Sequence, residues 1–350
     1  MKWLRRGIGA IAIAYPIALL AVLGGLAFVA ERWWVTGVGL FLPRLLFAAP
    51  LPGIATALVA IGPRKLLWTQ VVAALVLVFP LMGFVVPSPW PMRRDRQAPV
   101  IRVLSYNINS GHAEGEFDDV IAEIRRFSPD IAFLQETGVP EKVAALLGAE
   151  YPHIFAADQF LVATRYPIFT TEEPPKLLYD YDGRLHSPRF VRVVIDTPLG
   201  PIACYDVHPV SAREAIYRAK SQGKLGLLTG RVFSSAYAAT FHGNSGLREL
   251  QVKTFSESAR RETSPVLIAG DTNLPDLSLV LRTYLGRYQD AFLNAGWGFG
   301  YTFPTNKWAP WMRLDRILAS DELRFVKFDR CASKASDHRC VIADVQRRAP

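Results

Sequence analysis

The segment IAGDTNLPD, residues 268–276, places a carboxylate and an amide directly after a run of apolar residues. The apolar run 266–269 predicts a buried strand that ends at Gly270, with Asp271 and Asn273 just beyond it. Residues two apart in an extended segment point the same way, so a proton acceptor and a hydrogen-bonding amide would face one site. A plain turn is the alternative, because Gly, Asp, Asn and Pro are the usual residues of loops.

Polar side chains stand beside other apolar runs in the same manner. An asparagine, a glutamate and a histidine each follow an apolar run. Two aspartates and a second histidine lie at or near the start of two later apolar runs. They are Asn107, Glu136, His208, Asp315, Asp337 and His338. Strand ends from several elements are where sites are assembled on a rigid scaffold, so this distribution predicts one composite site.

From residue 100 onward, short runs rich in Val and Ile alternate with helical stretches. Many short strands with helices between them favour a two-sheet α/β sandwich or a layered α+β fold. The predicted strands are 100–106, 131–135, 190–196, 202–207, 266–270, 315–319, 324–331 and 339–345, and the predicted helices are 116–127, 140–147, 212–229 and 246–261.

Four motifs, LQE, GDTN, RLDRIL and SDH, occur in the order in which they occur in a known superfamily. With them, residues 100–346 resemble the endonuclease/exonuclease/phosphatase superfamily. Its members include pancreatic-type deoxyribonuclease, abasic-site endonucleases, neutral sphingomyelinases and inositol polyphosphate phosphatases. The resemblance implies an α/β (α+β) four-layer sandwich of two sheets and an enzyme that hydrolyses phosphoester bonds.

The same resemblance implies a divalent cation, Mg²⁺ or Mn²⁺, held by Glu136. Asn107 would support the cation by coordination or by a hydrogen bond, and Asp337 would be a further ligand. A hard cation on oxygen ligands neutralises the negative oxygens of a phosphoester. Some members carry an acid two residues past the first-motif asparagine, where this chain has Asn109, so a second metal site is not implied.

The resemblance also assigns roles in proton transfer. Asp271 would act as the general base for the attacking water, with Asn273 orienting the water or the phosphate. His338 would contact the phosphate or activate water, and Asp315 would fix the tautomer of its ring. His208 would protonate the leaving group or donate a hydrogen bond to the phosphate.

The N-terminal quarter of the chain has a different composition. Residues 1–98 contain ten Lys or Arg and two acidic residues, so they carry +8 of the formal net charge of +9. The remainder is close to neutral, which argues against reading the chain as a basic nucleic-acid binder. Uncharged runs at 8–30, 45–62 and 66–86 predict a membrane domain, 1–92, with about three transmembrane helices, the second the least regular because of its prolines. A linker, 93–99, follows it.

The orientation of these spans is nearly balanced by charge. With the N-terminus inside, five basic residues lie on each side, and the usual dominance of the first helix favours that arrangement. Three spans then place residues 100–346 outside the cytoplasm. The combination resembles bacterial membrane-anchored members, including those tied to glycopeptide (teicoplanin-type) resistance, which implies an integral protein of the inner or plasma membrane.

Three hypotheses for function remain open. The first is a membrane-anchored phosphatase or phosphodiesterase acting on a lipid-linked or envelope phosphate, with the bilayer and a phosphorylated lipid as partners. The second is a nuclease, which the aromatic-rich segment 301–315 favours, although near-neutral charge makes nucleic acid the weaker partner. The third is a catalytically inactive membrane scaffold. Segment 211–243 is either a core-packing helix with a basic face or an interfacial lid. The sequence does not indicate an oligomeric state.

Cys331 and Cys340 flank the SDH motif, with one predicted strand ending at the first and another beginning near the second. If those strands are antiparallel neighbours, the cysteines face each other across the ladder. An oxidising compartment would allow a disulfide between them, whereas two packed free thiols are the alternative.

Overall fold

The computed structural model describes residues 2–86, 97–111, 117–213, 235–332 and 335–348. Most of the predicted helix 212–229, much of segment 211–243 and part of the predicted linker 93–99 lie outside these residues.

The described residues form fourteen strands and eight α-helices. The strands are β1 Ile101–Asn107, β2 Ile131–Gln135, β3 His153–Ala157, β4 Phe160–Thr164, β5 Ile168–Glu172, β6 Leu177–Tyr179, β7 Arg184–His186, β8 Phe190–Thr197, β9 Gly200–Val207, β10 Val266–Asp271, β11 Gln289–Asp290, β12 Asp315–Ala319, β13 Leu323–Arg330 and β14 Val341–Arg347. The helices are α1 Lys2–Gly24, α2 Trp34–Gly39, α3 Pro50–Ala60, α4 Leu67–Val76, α5 Asp118–Phe127, α6 Pro140–Leu147, α7 Ser235–Arg260 and α8 Ala291–Ala295.

Two six-stranded mixed sheets face each other. The first has the order β13-β14-β1-β2-β4-β3, and the second has the order β11-β12-β10-β9-β8-β5. Apolar side chains from both sheets, among them Val103, Phe133, Val193 and Leu267, form the buried core between them. Helices α5 and α6 cover the outer face of the first sheet, and α7 covers that of the second. The predicted four-layer sandwich of two sheets is confirmed.

All eight predicted strands are present within a few residues of their predicted ends, and the predicted helix 246–261 is the second part of the longer α7. The elements that the sequence pattern did not indicate are mostly short or exposed. β3 and β5 are edge strands, and β6 with β7 forms a separate hairpin. β4 is fully buried and begins with four apolar residues, a run that the sequence prediction did not assign to a strand.

The N-terminal residues form a bundle of apolar helices. Two helical stretches, Lys2–Arg32 and Arg64–Leu81, are long and apolar enough to cross a membrane, and a signal sequence or a core helix passes the same test. The predicted second span is the shorter apolar helix Arg44–Ala60. A Cβ atom built on Gly62 would lie 3.0 Å from the Ile8 side chain, so the turn between the second and third helices lies beside the start of the first.

The other end of this bundle is hydrogen-bonded to the two-sheet sandwich. The buried carboxylate of Glu31 accepts hydrogen bonds from the Ser278 hydroxyl and from the Leu279 amide, the latter at 3.0 Å. The Tyr301 hydroxyl donates to the Met82 carbonyl at 2.8 Å. A two-bond bridge joins residues 85 and 298. These contacts come from the end of the first helical stretch and from the end of the last one, so the bundle and the sandwich form one packed unit.

The two cysteines beside the SDH motif lie next to each other. β13 and β14 are antiparallel neighbours, and the Cys331 amide donates to the Cys340 carbonyl at 3.0 Å. The Cys340 amide in turn donates to Cys331 Sγ at 2.6 Å. Both residues are buried, and both thiols are free. Burial raises the pKa of the Cys340 thiol far above its usual range, which keeps it protonated.

Two buried arginines brace the loop that follows the GDTN motif. The Arg313 guanidinium contacts Asp276 and Asp290, each at 2.6 Å, and that of Arg316 contacts the same carboxylates at 3.0 and 3.2 Å. Arg316 also donates to the Leu274 carbonyl at 2.9 Å. The arginines stand on either side of Asp315 in the chain, so this network fixes the start of β12 relative to the end of β10.

Replacing Arg316 with alanine should destabilise the fold strongly. Its side chain is fully buried, and its removal leaves two carboxylates short of a charged partner. Breaking a buried ion pair in this way costs about 3–5 kcal/mol. Denaturant unfolding of the detergent-solubilised protein, followed by tryptophan fluorescence, should show this loss. Arg184→Ala, at an exposed arginine, should change the free energy of unfolding by less than about 0.5 kcal/mol. Equal effects of the two substitutions would contradict the bracing role.

Candidate active site

The site lies at one end of the sandwich, where the ends of the central strands of the two sheets face each other. β1 and β2 are parallel neighbours in the first sheet, and β9 and β10 are parallel neighbours in the second. Asn107, Glu136, His208 and Asp271 stand at or just after the carboxyl ends of these four strands. β12 and β14 run antiparallel to them, so the residues at and before their starts return to the same edge.

The Asn107 side chain joins the two sheets at this edge. Its amide nitrogen Nδ2 lies 3.0 Å from Glu136 Oε1 and 3.3 Å from Asp271 Oδ2. Its oxygen Oδ1 accepts a hydrogen bond from the Asn109 backbone amide at 3.1 Å. The NH₂ group is therefore directed at two carboxylates, and the asparagine supports them by hydrogen bonding. Of the two roles open to Asn107, this geometry matches the hydrogen bond.

Asp271 and Asn273 form a tight turn directly after β10. Asp271 Oδ1 accepts a hydrogen bond from the Asn273 amide at 2.9 Å, and Asn273 Nδ2 donates to the Pro209 carbonyl at 2.9 Å. The strand ends at Asp271, and Asn273 adopts a left-handed φ of 49°. The rule for extended segments therefore does not apply to this pair, because the turn brings them to one cleft instead. The plain turn that was the alternative reading of this segment is therefore also the structure that carries these two site residues.

Gly270 is required by the close approach of β9 and β10. It has a φ of 150°, and a Cβ atom there would lie 1.9 Å from the Val207 carbonyl oxygen. No larger residue fits without moving the backbone. The first letter of the GDTN motif thus sets how closely Asp271 approaches His208.

His338 lies between two aspartates. Its Nδ1 is 2.9 Å from Asp315 Oδ2, and its Nε2 is 3.6 Å from Asp271 Oδ2. The Ser336 hydroxyl accepts from the His338 amide at 3.1 Å and donates to the Asn107 carbonyl at 2.7 Å. Ser336 was not among the predicted site residues, although it belongs to the SDH motif, and it ties the histidine loop to the end of β1.

The second histidine of the site has a neutral partner. His208 Nδ1 lies 2.6 Å from Gln159 Oε1, and its Nε2 lies 3.4 Å from Glu136 Oε1 and 3.6 Å from Asp271 Oδ2. Gln159 lies in the turn before β4, and sequence reasoning missed it because β4 itself was not predicted. With its oxygen facing Nδ1, it favours the tautomer that carries the proton there.

The environments of the two histidines shift their pKa values in opposite directions. Burial lowers the pKa of His208 to about 4, with the nearby cationic groups Arg189, His338 and Arg213 adding to it against the opposing charge of Asp271. Burial would also lower the pKa of His338, but Asp315 and Asp271 outweigh it and raise that pKa to about 10. At neutral pH one imidazole is therefore neutral and the other is charged. Burial also raises the pKa of Asp271, against the pull of His338.

Asp337 pairs with an arginine. Its Oδ2 pairs with the Arg213 guanidinium at 2.9 Å, and its Oδ1 is 4.0 Å from His338 Nε2. The Arg213 guanidinium also lies 5.1 Å from the centre of the Phe303 ring. The structure thus places Asp337 beside His338, where its buried carboxylate binds the Arg213 guanidinium.

Two groups of residues are candidates for holding a cation. Asp271, Asp315 and His338 offer ligand atoms within 4.8 Å of one another, but the His338–Asp315 contact is a hydrogen-bonded pair that occupies Nδ1. Glu136 is different, because its side chain is 36% exposed to the cleft and lies beside the Asp271 carboxylate across the Asn107 amide. Two carboxylates held this close, with oxygen atoms facing a cleft, suit a hard divalent cation.

The cleft at this edge has a volume of about 460 Å³. Its floor carries site residues, namely Glu136, His208, Asp271, Asn273 and His338. Its walls come from the aromatic segment, including Phe303 and Trp311, and from the N-terminal segment, including Phe41 and Leu42. The rim carries two basic residues, Arg213 and Lys307.

Comparisons with known proteins agree with this architecture. The model of the endonuclease/exonuclease/phosphatase family matches residues 104–338, so the chain belongs to that family. Members of this family hydrolyse phosphoester bonds, and many use divalent metals, which makes this chain a hydrolase of the phosphoesterase or nuclease type. No curated protein sequence matches the chain.

Several solved structures share the fold. The endonuclease/exonuclease/phosphatase from Beutenbergia cavernae has a TM-score of 0.52 at 18% identity, covering 71% of this chain and 72% of its own. A conserved protein from Enterococcus faecalis has a TM-score of 0.50 at 15% identity, covering 71% and 100%. The beta toxin of Staphylococcus aureus has a TM-score of 0.48 at 14% identity, covering 69% and 99%. At these identities the likeness to the first two structures concerns the fold alone.

Titration of the metal-free protein should separate the two histidines. In NMR spectra of ¹³C-histidine-labelled protein, assigned with His208→Gln and His338→Gln variants, His338 should remain protonated through neutral pH and His208 should remain neutral to about pH 4. Asp315→Asn removes a negative charge next to Nδ1, so the pKa of His338 should fall. A His338 that loses its proton near the ordinary value of about 6.5 in the unsubstituted protein would contradict the charge assignment.

Proposed function

We propose that the protein is a membrane-anchored, divalent-metal-dependent phosphoesterase that hydrolyses a lipid-linked or cell-envelope phosphate. The observation that carries the proposal is that residues of the apolar N-terminal segment line the same cleft as the site residues. A cleft built this way opens beside the helices that would cross the bilayer. The phosphate of a membrane lipid would then reach the site without leaving the membrane surface.

In this proposal Glu136 holds the cation, Mg²⁺ or Mn²⁺, with Asn107 fixing its carboxylate and Asp337 acting nearby. The metal would neutralise negative charge on the phosphate oxygens. The Asp271 carboxylate accepts a proton from the attacking water, and burial makes it a stronger base than a solvated aspartate. Asn273 stands beside it in the cleft to orient the water or the phosphate.

The two histidines have different parts in the proposed reaction. His338, protonated and held by Asp315, donates through Nε2 to the phosphate or to the leaving oxygen. His208 faces the same cleft, and its role as a proton donor requires a proton on Nε2. The contact of Nδ1 with Gln159 instead favours Nε2 as an acceptor, so His338 is the better donor of the two.

The nuclease remains the second hypothesis, since the family includes nucleases. Part of the aromatic segment that favoured the nuclease instead contacts the N-terminal segment, because the Trp311 indole donates to the Phe41 carbonyl at 3.2 Å. Together with the near-neutral charge of residues 99–350, this contact favours a lipid over a nucleic acid. The inactive scaffold is disfavoured because a complete set of acid, base and carboxylate groups faces one cleft.

Metal removal should abolish the activity. EDTA should stop hydrolysis of phosphate esters, and added Mg²⁺ or Mn²⁺ should restore it. Glu136→Gln keeps the shape of the side chain and removes its charge, so kcat should fall by about 100-fold or more, as expected when a metal ligand that contributes a few kcal/mol is lost. Glu141→Gln, at an exposed glutamate, should have no effect. Full activity in EDTA would refute the metal role.

We further propose that the catalytic domain lies outside the cytoplasm of a bacterial cell, with the N-terminus inside. An alkaline phosphatase reporter, which is active only outside the cytoplasm, should be active when fused after Pro350. The same reporter fused after Gly62 should be inactive, because that turn lies at the opposite end of the bundle. The reverse pattern would overturn the proposed orientation.

A further inference from the structure

We infer that the cleft contains a binding site for the apolar chain of the lipid substrate, and that residues 38–43 of the N-terminal segment form one wall of it. This inference rests on the proposed phosphoesterase function and names its substrate class more closely. The segment would then select the substrate in addition to anchoring the enzyme.

The lining of the cleft is divided by chemistry. Charged and polar site residues line one part of the cleft, whereas the N-terminal segment contributes only apolar side chains: Val38, Phe41, Leu42 and Pro43. A phosphate group gains no favourable contact from the apolar wall, and a hydrocarbon chain gains none from the charged site residues. A ligand that satisfies both carries a phosphate next to an apolar chain. Pockets of this size bury a large part of a small ligand, so the first segment of a chain fits beside the phosphate.

The wall is a fixed part of the fold. The Phe41 carbonyl accepts the Trp311 indole hydrogen bond, and the buried Arg248 guanidinium lies 5.6 Å from the centre of the Phe41 ring. One turn earlier, a Cβ atom on Gly37 would lie 2.4 Å from the Phe241 ring, so helix α2 packs directly against α7. The segment is thus held against the catalytic domain before any substrate arrives.

The apolar wall continues out of the cleft onto the helices. Leu42 is 43% exposed, and Leu45 and Leu46, which follow it at the start of the second helix, are 47% and 62% exposed. Trp308, on the segment that forms the opposite wall, is 79% exposed, as suits a residue at a membrane surface. An apolar chain can therefore pass from the outer face of the bundle into the cleft along an apolar surface. This continuity favours a chain from the bilayer over a soluble ligand or a nucleic acid.

Chain length is the variable that tests this site. The purified full-length protein in detergent would be assayed on methyl and dodecyl 4-nitrophenyl phosphate, and on methyl and dodecyl phosphate with phosphate release as the readout. Each pair shares its reacting centre and differs only in the chain. For the pair that the enzyme hydrolyses, kcat/KM should be at least about ten-fold higher for the dodecyl ester, because several methylene groups leave water.

Two substitutions in the wall should reduce that ratio. Leu42→Ser removes apolar surface, and Val38→Phe fills the cleft from another position, so each should lower the dodecyl-to-methyl ratio several-fold. Leu75→Ser is the matched control, because Leu75 is 51% exposed on α4 and is not among the residues that line the cleft. It should leave the ratio unchanged. That result would show that the loss in the wall variants does not come from altered partitioning of the substrate into detergent.

The outcomes separate this inference from the function on which it rests. If the methyl esters are hydrolysed with no dodecyl preference, or if both wall variants keep the preference, the chain site is refuted and the phosphoesterase stands. If neither pair is hydrolysed while single-stranded DNA is, the lipid phosphoesterase fails with it, and the nuclease takes its place.

Discussion

The hydrogen bonds of a single asparagine hold the site together. Asn107 ends β1 in the first sheet, and its NH₂ group reaches Glu136 beside it and Asp271 in the facing sheet. Two carboxylates repel each other, and a shared donor offsets part of that repulsion while fixing the distance between the sheets. Both sheets must present their parallel strand pairs at this edge for the contact to form. The sandwich can therefore be regarded as the scaffold that brings these three side chains together.

The charges of the site are divided between its two histidines. Both are buried, so burial alone would leave both neutral. The pKa of His338 is raised because Asp315 is hydrogen-bonded to its Nδ1 at 2.9 Å, with Asp271 and Asp337 at 3.6 and 4.0 Å from Nε2. His208 has neutral Gln159 on its Nδ1, and the carboxylates near its Nε2 lie no closer than 3.4 Å. Two groups of one type thus acquire opposite proton affinities from their neighbours, which is how a single cleft can accept a proton at one position and donate at another.

Much of the fold and of the site was predictable from the sequence because strand cores are apolar and strand ends are polar. The motifs around Glu136, Asp271 and His338 mark three such ends. What sequence could not indicate depends on tertiary contact. Gln159 stands before a strand that was not predicted, and Asp337 is turned toward Arg213 by a pairing that only packing reveals. The left-handed turn at Asn273 is likewise seen only in the folded chain.

The contact of the wall segment with the cleft was not predictable for a similar reason. Residues 33–43 follow the first apolar run with no motif of their own, and only the folded chain places Phe41 against Trp311. Periodicity describes each element separately. It carries no information about which loop of the bundle meets which loop of the sandwich.

If the substrate is a membrane lipid, as we propose, the attachment at Glu31 has a consequence for the kinetics. Because its carboxylate bonds Ser278 and Leu279, the sandwich cannot swing on a flexible tether into the surrounding water. Enzyme and lipid would then meet by lateral diffusion in two dimensions. The turnover of such an enzyme depends on the number of substrate molecules per unit area of membrane, and adding inert lipid slows it even when the total amount of substrate in the sample is constant.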